Sequence, residues 1–215
     1  MVLQQGARIS QAHFEDAKKH ACALLKMLDI SLTYHDLRHT FDMVVPGTQC
    51  IAQKEGLSTE EKLLVGIYAA YHDTGFLRLY PGHESASAAF LEEYMRNSQF
   101  SFDPVWLEWG KKAILNTDMK TPPQSVFEKV LRDADLCAMG HPEFVAINAR
   151  FREECKRHPK SAMHDYAIQT DDKCWATVQL PFLVNHQWFT AGAKLLYEEQ
   201  RIKNIHLFKQ AYNLP

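Results

Sequence analysis

Apolar residues recur at three-and-four spacing along almost all of this 215-residue chain, and no segment shows convincing two-residue alternation between hairpin turns. A chain patterned this way buries helical stripes against one another, so the expected fold is an all-α, single-domain helical bundle. Ser10 is placed to cap a helix carrying Phe14, Ala17, Ala21, Leu24, Leu25 and Leu28 on one face. Ser58 with Glu61 is a capping-box pair, and Leu63, Leu64 and Ile67 lead from it into His72. Asp103-Pro104 joins an N-cap to a proline at the first helical position, ahead of Trp106, Trp109, Ala113 and Ile114. Ser125 with Glu128 opens another helix through Val130, Leu131 and Ala134, and a closing helix runs from Ala191 through Leu195, Leu196, Ile202, Ile205 and Phe208. Pro46-Gly47 should kink or break the helix that begins near Asp36. The loop 116–124, with Pro122-Pro123, is the sharpest interruption but is short for a domain boundary.

Composition narrows the function classes. Lys plus Arg is 24 and Asp plus Glu is 26, so a formal charge of −2 leaves no footprint for a nucleic acid polymer or a membrane surface. MVLQQGARIS has no apolar leader segment, and no stretch approaches bilayer-spanning length. The expected protein is soluble and cytoplasmic. Cys22, Cys50, Cys137, Cys155 and Cys174 are odd in number and scattered, which reads as free thiols of a reducing compartment. Histidine stands out instead, with eleven residues, several beside carboxylates.

Those neighbours fall in four stretches: Tyr34-His35-Asp36-Leu37-Arg38-His39-Thr40, Tyr71-His72-Asp73-Thr74-Gly75, Gly82-His83-Glu84 and Arg132-Asp133-Ala134-Asp135-Leu136. Each sits at or near a predicted helix end. A hydrolytic divalent metal needs such a mixed set: imidazoles bind it, carboxylates offset its charge, and open positions let it acidify water. Neighbours on a regular helix point about 100° apart, so His72 and Asp73 reach one ion only if the helix ends there. Thr74-Gly75 supplies that ending, with Gly75 as a left-handed terminator. His35 and His39 are four apart and share a helical face. Asp133 and Asp135 diverge, so only one should reach the metal.

The order His, then His-Asp, then a distant Asp resembles the HD superfamily of helical metal-dependent phosphohydrolases, from about Tyr34 to Leu136 and more weakly to the C-terminus. The resemblance implies one HD domain over 1–215, with its metal core at 34–136 and helices in 141–212 completing the pocket. It implies metal ligation by His39, His72, Asp73 and Asp135. Finer features are similar to the cyclic-nucleotide phosphodiesterases of that superfamily. Tyr34-His35 with His39 resembles their YHNxxH, in which the first His protonates the leaving oxygen. Thr117-Asp118-Met119 resembles their TDM segment, Ala134-Asp135-Leu136 their ADL, and Gln179 with Phe182 their purine clamp. Asp36 stands where that family has Asn, the longer HDxDHPG is missing, and the chain is much shorter.

The resemblance therefore implies catalytic roles for His35, as general acid, and for Asp73. His83 is the candidate for a substrate or second-metal contact, with no further histidine evident to complete a second site. Arg78, just beyond the metal pair, has the planar fork that holds phosphate. Asp118 either orients His35 or caps its loop. His186 and the aromatic set Trp175, Phe182, Trp188 and Phe189 are expected to build core. The implied cofactor is a divalent metal (manganese, iron, nickel, zinc or magnesium), and the implied partner is a small phosphorylated molecule such as a nucleotide. Two other functions belong to the same scaffold: a di-iron oxygenase, which needs extra histidines, and a non-catalytic nucleotide-binding module.

Overall fold

Serine, threonine and aspartate start the helices of this chain where side chain and backbone can satisfy each other. The computed structural model describes residues 8–215, and most of the MVLQQGARIS segment lies outside them. It contains α1 (Gln11–Leu25), α2 (Val45–Lys54), α3 (Thr59–Tyr71), α4 (His83–Asn97), α5 (Pro104–Leu115), α6 (Val126–Asp135), α7 (Phe144–Arg157), α8 (His164–Gln169), α9 (Asp172–Asn185) and α10 (Ala191–Ala211). No strand occurs among the described residues, and no helix is long and apolar enough to cross a membrane. The Ser58 hydroxyl accepts from the Glu61 N–H while the Glu61 carboxylate accepts from the Ser58 N–H, opening α3. Ser125 and Glu128 do the same for α6, and Asp103 accepts from the Val105 N–H at the start of α5. Removing such a cap costs about 1 kcal/mol.

α3 carries apolar residues on every side, and Leu63 through Tyr71 are all buried. A helix apolar all round belongs in the middle of a core. α1, α2, α4, α5 and α6 surround it. Their shared core runs from Phe14 and Ala17 through Ile51 and Ile67 to Leu91, Ile114 and Leu131. The C-terminal helices build two smaller clusters, one around Met139, Phe144, Leu183 and Phe208, the other around Cys155, Ala167 and Trp175.

Four expectations are corrected here. Pro46-Gly47 does not break its helix. Residues His39–Val44 form a π turn that runs directly into α2, and the Val45 N–H reaches back five residues to the Thr40 carbonyl. Pro46 has no N–H to give the ordinary four-residue bond, and the wider turn absorbs the mismatch. Gly75 is not left-handed; the positive-φ glycines are Gly56 and Gly82. It lies in a 3-10 turn, Thr74–Leu77, where a Cβ would collide with the His83 carbonyl and the Ser87 backbone. Its glycine serves close approach to α4. On α10 the expected inward leucines face out: Leu195 is 71% exposed, and Leu196 and Ile202 are exposed too. The inward positions belong to Ala193, Arg201, Asn204 and Phe208. Arg201 donates to the Leu183 and Val184 carbonyls at the end of α9, and Asn204 to the Met139 and His141 carbonyls. Satisfying those helix-end and loop carbonyls shares the inward face of α10 with Phe208 and the half-buried Ile205. Trp175 is core as expected, whereas Phe182 and Phe189 are exposed and Trp188 is half-buried.

Candidate metal centre

Three irregular helix ends bring the predicted cluster together. The first helix of the motif begins at Leu37, because Asp36 accepts from the Arg38 N–H (2.9 Å) and the His39 N–H (3.0 Å). His35 therefore precedes the helix and shares no helical face with His39. His39 opens the π turn. His72 ends α3, and its Nδ1 lies 2.7 Å from the Ala69 carbonyl, so that nitrogen donates and Nε2 keeps a bare lone pair. Asp73 leaves the helix at φ −108°, ψ 0°, which lets it reach the point His72 faces. Asp135 is the last residue of α6.

His39, His72 and Asp73 converge, and Asp135 approaches the two imidazoles. His39 Nε2 lies 3.1 Å from Asp135 Oδ1, 3.5 Å from Asp73 Oδ2 and 3.4 Å from His72 Nε2. His72 Nε2 lies 3.2 Å from Asp73 Oδ2 and 3.4 Å from Asp135 Oδ1. His39, His72 and Asp73 are almost wholly buried, and Asp73 Oδ2 has no hydrogen-bond partner. Ligand atoms about 2 Å from a common ion stand roughly 3–3.4 Å apart, so the His39, His72 and Asp73 atoms could hold one divalent cation, with Asp135 beside the two imidazoles. Two imidazole nitrogens and two carboxylate oxygens also fit the borderline metals expected from sequence.

The electrostatics agree. Burial pushes the Asp73 carboxyl up, but His72 beside it outweighs that and holds it well below the carboxylate range. Burial likewise opposes ionisation of Asp135, and hydrogen bonds from His39 and His72 pull its pKa down. Burial disfavours charge on His72, yet Asp73 raises its pKa well above the usual value. Both carboxylates draw positive charge to this point, as protons on imidazoles or as a cation between them.

Asp133 has a different task. It is fully buried and accepts from the Phe189 N–H (3.0 Å), the Thr190 N–H (2.8 Å) and the Thr190 hydroxyl (2.7 Å). It anchors the start of α10, and neither pairs with Arg132 nor faces solvent.

His35 turns into a cleft of about 440 Å³ above the cluster. Its Nδ1 is 2.5 Å from Glu154 Oε1. The fully buried Glu154 carboxylate also accepts from the Tyr34 N–H, the His35 N–H and the Tyr80 hydroxyl. Burial lowers the His35 pKa and Glu154 more than restores it, for a net rise. Sequence reading missed Glu154. Its signal was faint but present: a carboxylate on the α7 stripe of Phe144, Ile147, Phe151 and Cys155, spaced for the core.

His83 opens α4, stacks on Phe76 at 3.8 Å, and places Nε2 3.5 Å from Asp73 Oδ1. Asp73 thus faces His39 and His72 with one oxygen and His83 with the other. Gln179 and Phe182 line the cleft, and Gln179 accepts from Asn148, which in turn accepts from the buried Trp175 indole. Asp118 also lines it, but bonds to the Lys120 N–H and ammonium, so it caps its loop and does not orient His35. Arg78 lies outside the cleft, over the Phe90 ring and 3.5 Å from Glu93. The 3-10 turn after Asp73 points it away. Arg38 is exposed and bonds to Asp36. His186 is edge-on to Trp188, and burial drops its pKa to about 4.

No protein-family model, no curated protein and no solved structure matches this chain.

Proposed function

We propose that this chain is a metal-dependent phosphohydrolase of the HD type, cleaving a phosphate ester of a nucleotide or related metabolite. The carrying observation is the convergence of His39 Nε2, His72 Nε2 and Asp73 Oδ2 at 3.2–3.5 Å from one another, with Asp135 Oδ1 3.1 and 3.4 Å from the two imidazoles, under a cleft that His35 also lines. A divalent metal held there would supply Lewis acidity toward the phosphoryl oxygens and toward water. Asp73 Oδ1, on the side of His83, would be placed to orient that water. As the water oxygen bonds to phosphorus and the ester P–O bond breaks, the departing alkoxide needs a proton. Glu154 fixes His35 through Nδ1, which leaves Nε2 as the end of the ring that can deliver it.

Because Asp73 presents its other oxygen to His83, a second cation there would be held by those two side chains and would add Lewis acidity toward the phosphoryl group. That feature also supports the oxygenase as second reading. Its second site would have His83 and Glu84 to draw on, a thinner set than the first.

The test uses protein purified without chelator, reconstituted with each candidate metal and screened on nucleoside monophosphates, cyclic nucleotides and model diesters. A phosphate ester should be hydrolysed, with His35→Ala slowing esters of alkoxide leaving groups about a hundredfold and p-nitrophenyl esters far less. Equal losses on both would remove His35 as the acid. Oxygen uptake with iron, and no hydrolysis with any metal, would transfer the reading to the oxygenase.

A further inference from the structure

The walls of the cleft carry information about the charge of what fits inside. Asp73, Glu84, Asp118 and Asp135 line it, and Lys160 is the one lysine or arginine among the lining residues. Lys160 stands in the loop between α7 and α8 and makes no ion pair among the described residues. Asp118 is matched by Lys120, 3.0 Å away, and Arg78 is turned out of reach. Apart from His35, His83 and Lys160, no basic side chain lines the cleft, while Glu84 and the two cluster carboxylates face it. The remaining wall is largely apolar, with Tyr34, Phe76, Met139, Phe144, Phe151 and Phe182 presenting rings and a thioether.

A polyphosphate arm brings three or four negative charges, and sites that hold one answer with several lysines, arginines or N–H groups of a helix start. This cleft answers with one ammonium and the start of α4, whose first turn already carries the Glu84 carboxylate. A divalent metal held by the cluster would be matched by the Asp73 and Asp135 carboxylates alone, so even one phosphate would have to be met by His35, His83 and Lys160, and nothing is left for further phosphates.

We propose that the substrate carries a single phosphate group on a large apolar or aryl body, and that carboxylate-lined walls with Lys160 as their lone ammonium select it against polyphosphates. The proposal rests on the hydrolytic reading of the site. The reaction it implies is balanced by water alone: a monoester gives an alcohol and inorganic phosphate, a diester an alcohol and a monoester.

The experiment uses the full chain with manganese in excess. Adenosine mono- and triphosphate differ in charge on the same base; 1-naphthyl and ethyl phosphate differ in apolar body at the same charge. The monophosphate should exceed the triphosphate in kcat/KM by about tenfold or more, since like charges facing each other are penalised. Naphthyl phosphate should exceed ethyl phosphate by at least about tenfold through burial of the ring. Lys160→Gln should raise KM for the monophosphate about tenfold and move kcat much less, whereas Glu84→Lys should narrow the mono-to-triphosphate ratio. Equal or better turnover of the triphosphate, or no preference for the naphthyl ester, overturns the proposal while the hydrolytic reading stands. Binding calorimetry with 1-naphthyl phosphonate and inorganic tripolyphosphate separates the two failures. Tighter binding of the phosphonate without turnover of any ester defeats the hydrolytic reading and leaves the charge selection standing. Tighter binding of tripolyphosphate defeats the charge selection.

Discussion

The N-terminal helices α1–α6 and the C-terminal helices α7–α10 bury polar groups for opposite ends. In the first region His39, His72 and Asp73 are gathered without enough protein partners, and Asp73 Oδ2 has none. In the second, Arg152, Arg201 and Asn204 are buried against backbone carbonyls at helix ends and turns. The second set finds protein acceptors for most of its donors, with Arg152 Nε left over. On the proposed reading the first is completed by a bound cation, which would stand in for protons on the imidazoles beside the two carboxylates. Glu154 crosses the divide: it sits on α7 and holds His35 of the first region.

Asp133 and Asp135, two residues apart on α6, put this contrast to its hardest test. Asp135→Asn should abolish hydrolysis and strip metal while the fold persists. Asp133→Asn should keep metal at full occupancy and lower stability by about 1–3 kcal/mol, as expected for damaging a buried acceptor with three donors. Elemental analysis and urea melts of both variants decide it. Metal lost from the Asp133 variant and kept by the Asp135 variant would reverse the assignment.

A smaller effect isolates the second region. Arg201→Met should destabilise the protein by roughly 2–3 kcal/mol, since the Leu183 carbonyl and Glu198 lose a charged donor. The folded fraction should retain its metal and its kcat. A variant that folds normally yet loses metal would show that the C-terminal helices shape the cluster directly.

The smallest effect is a pH dependence at His186. Burial first, then the Arg201 charge, lowers its pKa to about 4 in the fold. The unfolded chain therefore takes up a proton there as pH falls through about 6.5, while the folded chain does not. Stability should decline from near pH 6.5 toward pH 4 and this contribution should then level off. His186→Phe should flatten that part of the curve, by well under ~2 kcal/mol given the partial exposure of the ring. An unchanged slope in the variant would assign the decline to other groups.

Local rules made the first region readable. Capping pairs at Ser58 and Ser125, the Asp103-Pro104 start and the apolar run into His72 all depend on residues within a few positions, and each helix starts where expected. The His39, His72, Asp73 and Asp135 side chains meet because their helices end near one point. The second region was less legible, since its decisive bonds span the chain: Glu154 lies 119 positions from His35, and Asn204 lies 65 from Met139. Arg201 and Asn204 break the apolar pattern of α10, so the stripe locates Ile205 and Phe208 but misplaces Leu195, Leu196 and Ile202. Arg78 misled for a related reason. Nearness in sequence to Asp73 says nothing of where a 3-10 turn aims its side chains.

The π turn at His39–Val44 makes the length of this segment a matter of phase. It takes up one residue more per revolution than an ordinary helix, so side chains before it are clocked differently from those after it. His39 keeps time with the metal cluster, while Val45, Thr48 and Ile51 keep time with the core. A one-residue deletion inside the turn would be no loop trimming. It would close the wide turn to an ordinary one and press the Pro46 ring against the carbonyl one turn back, so the cost would fall on the junction between the two sets.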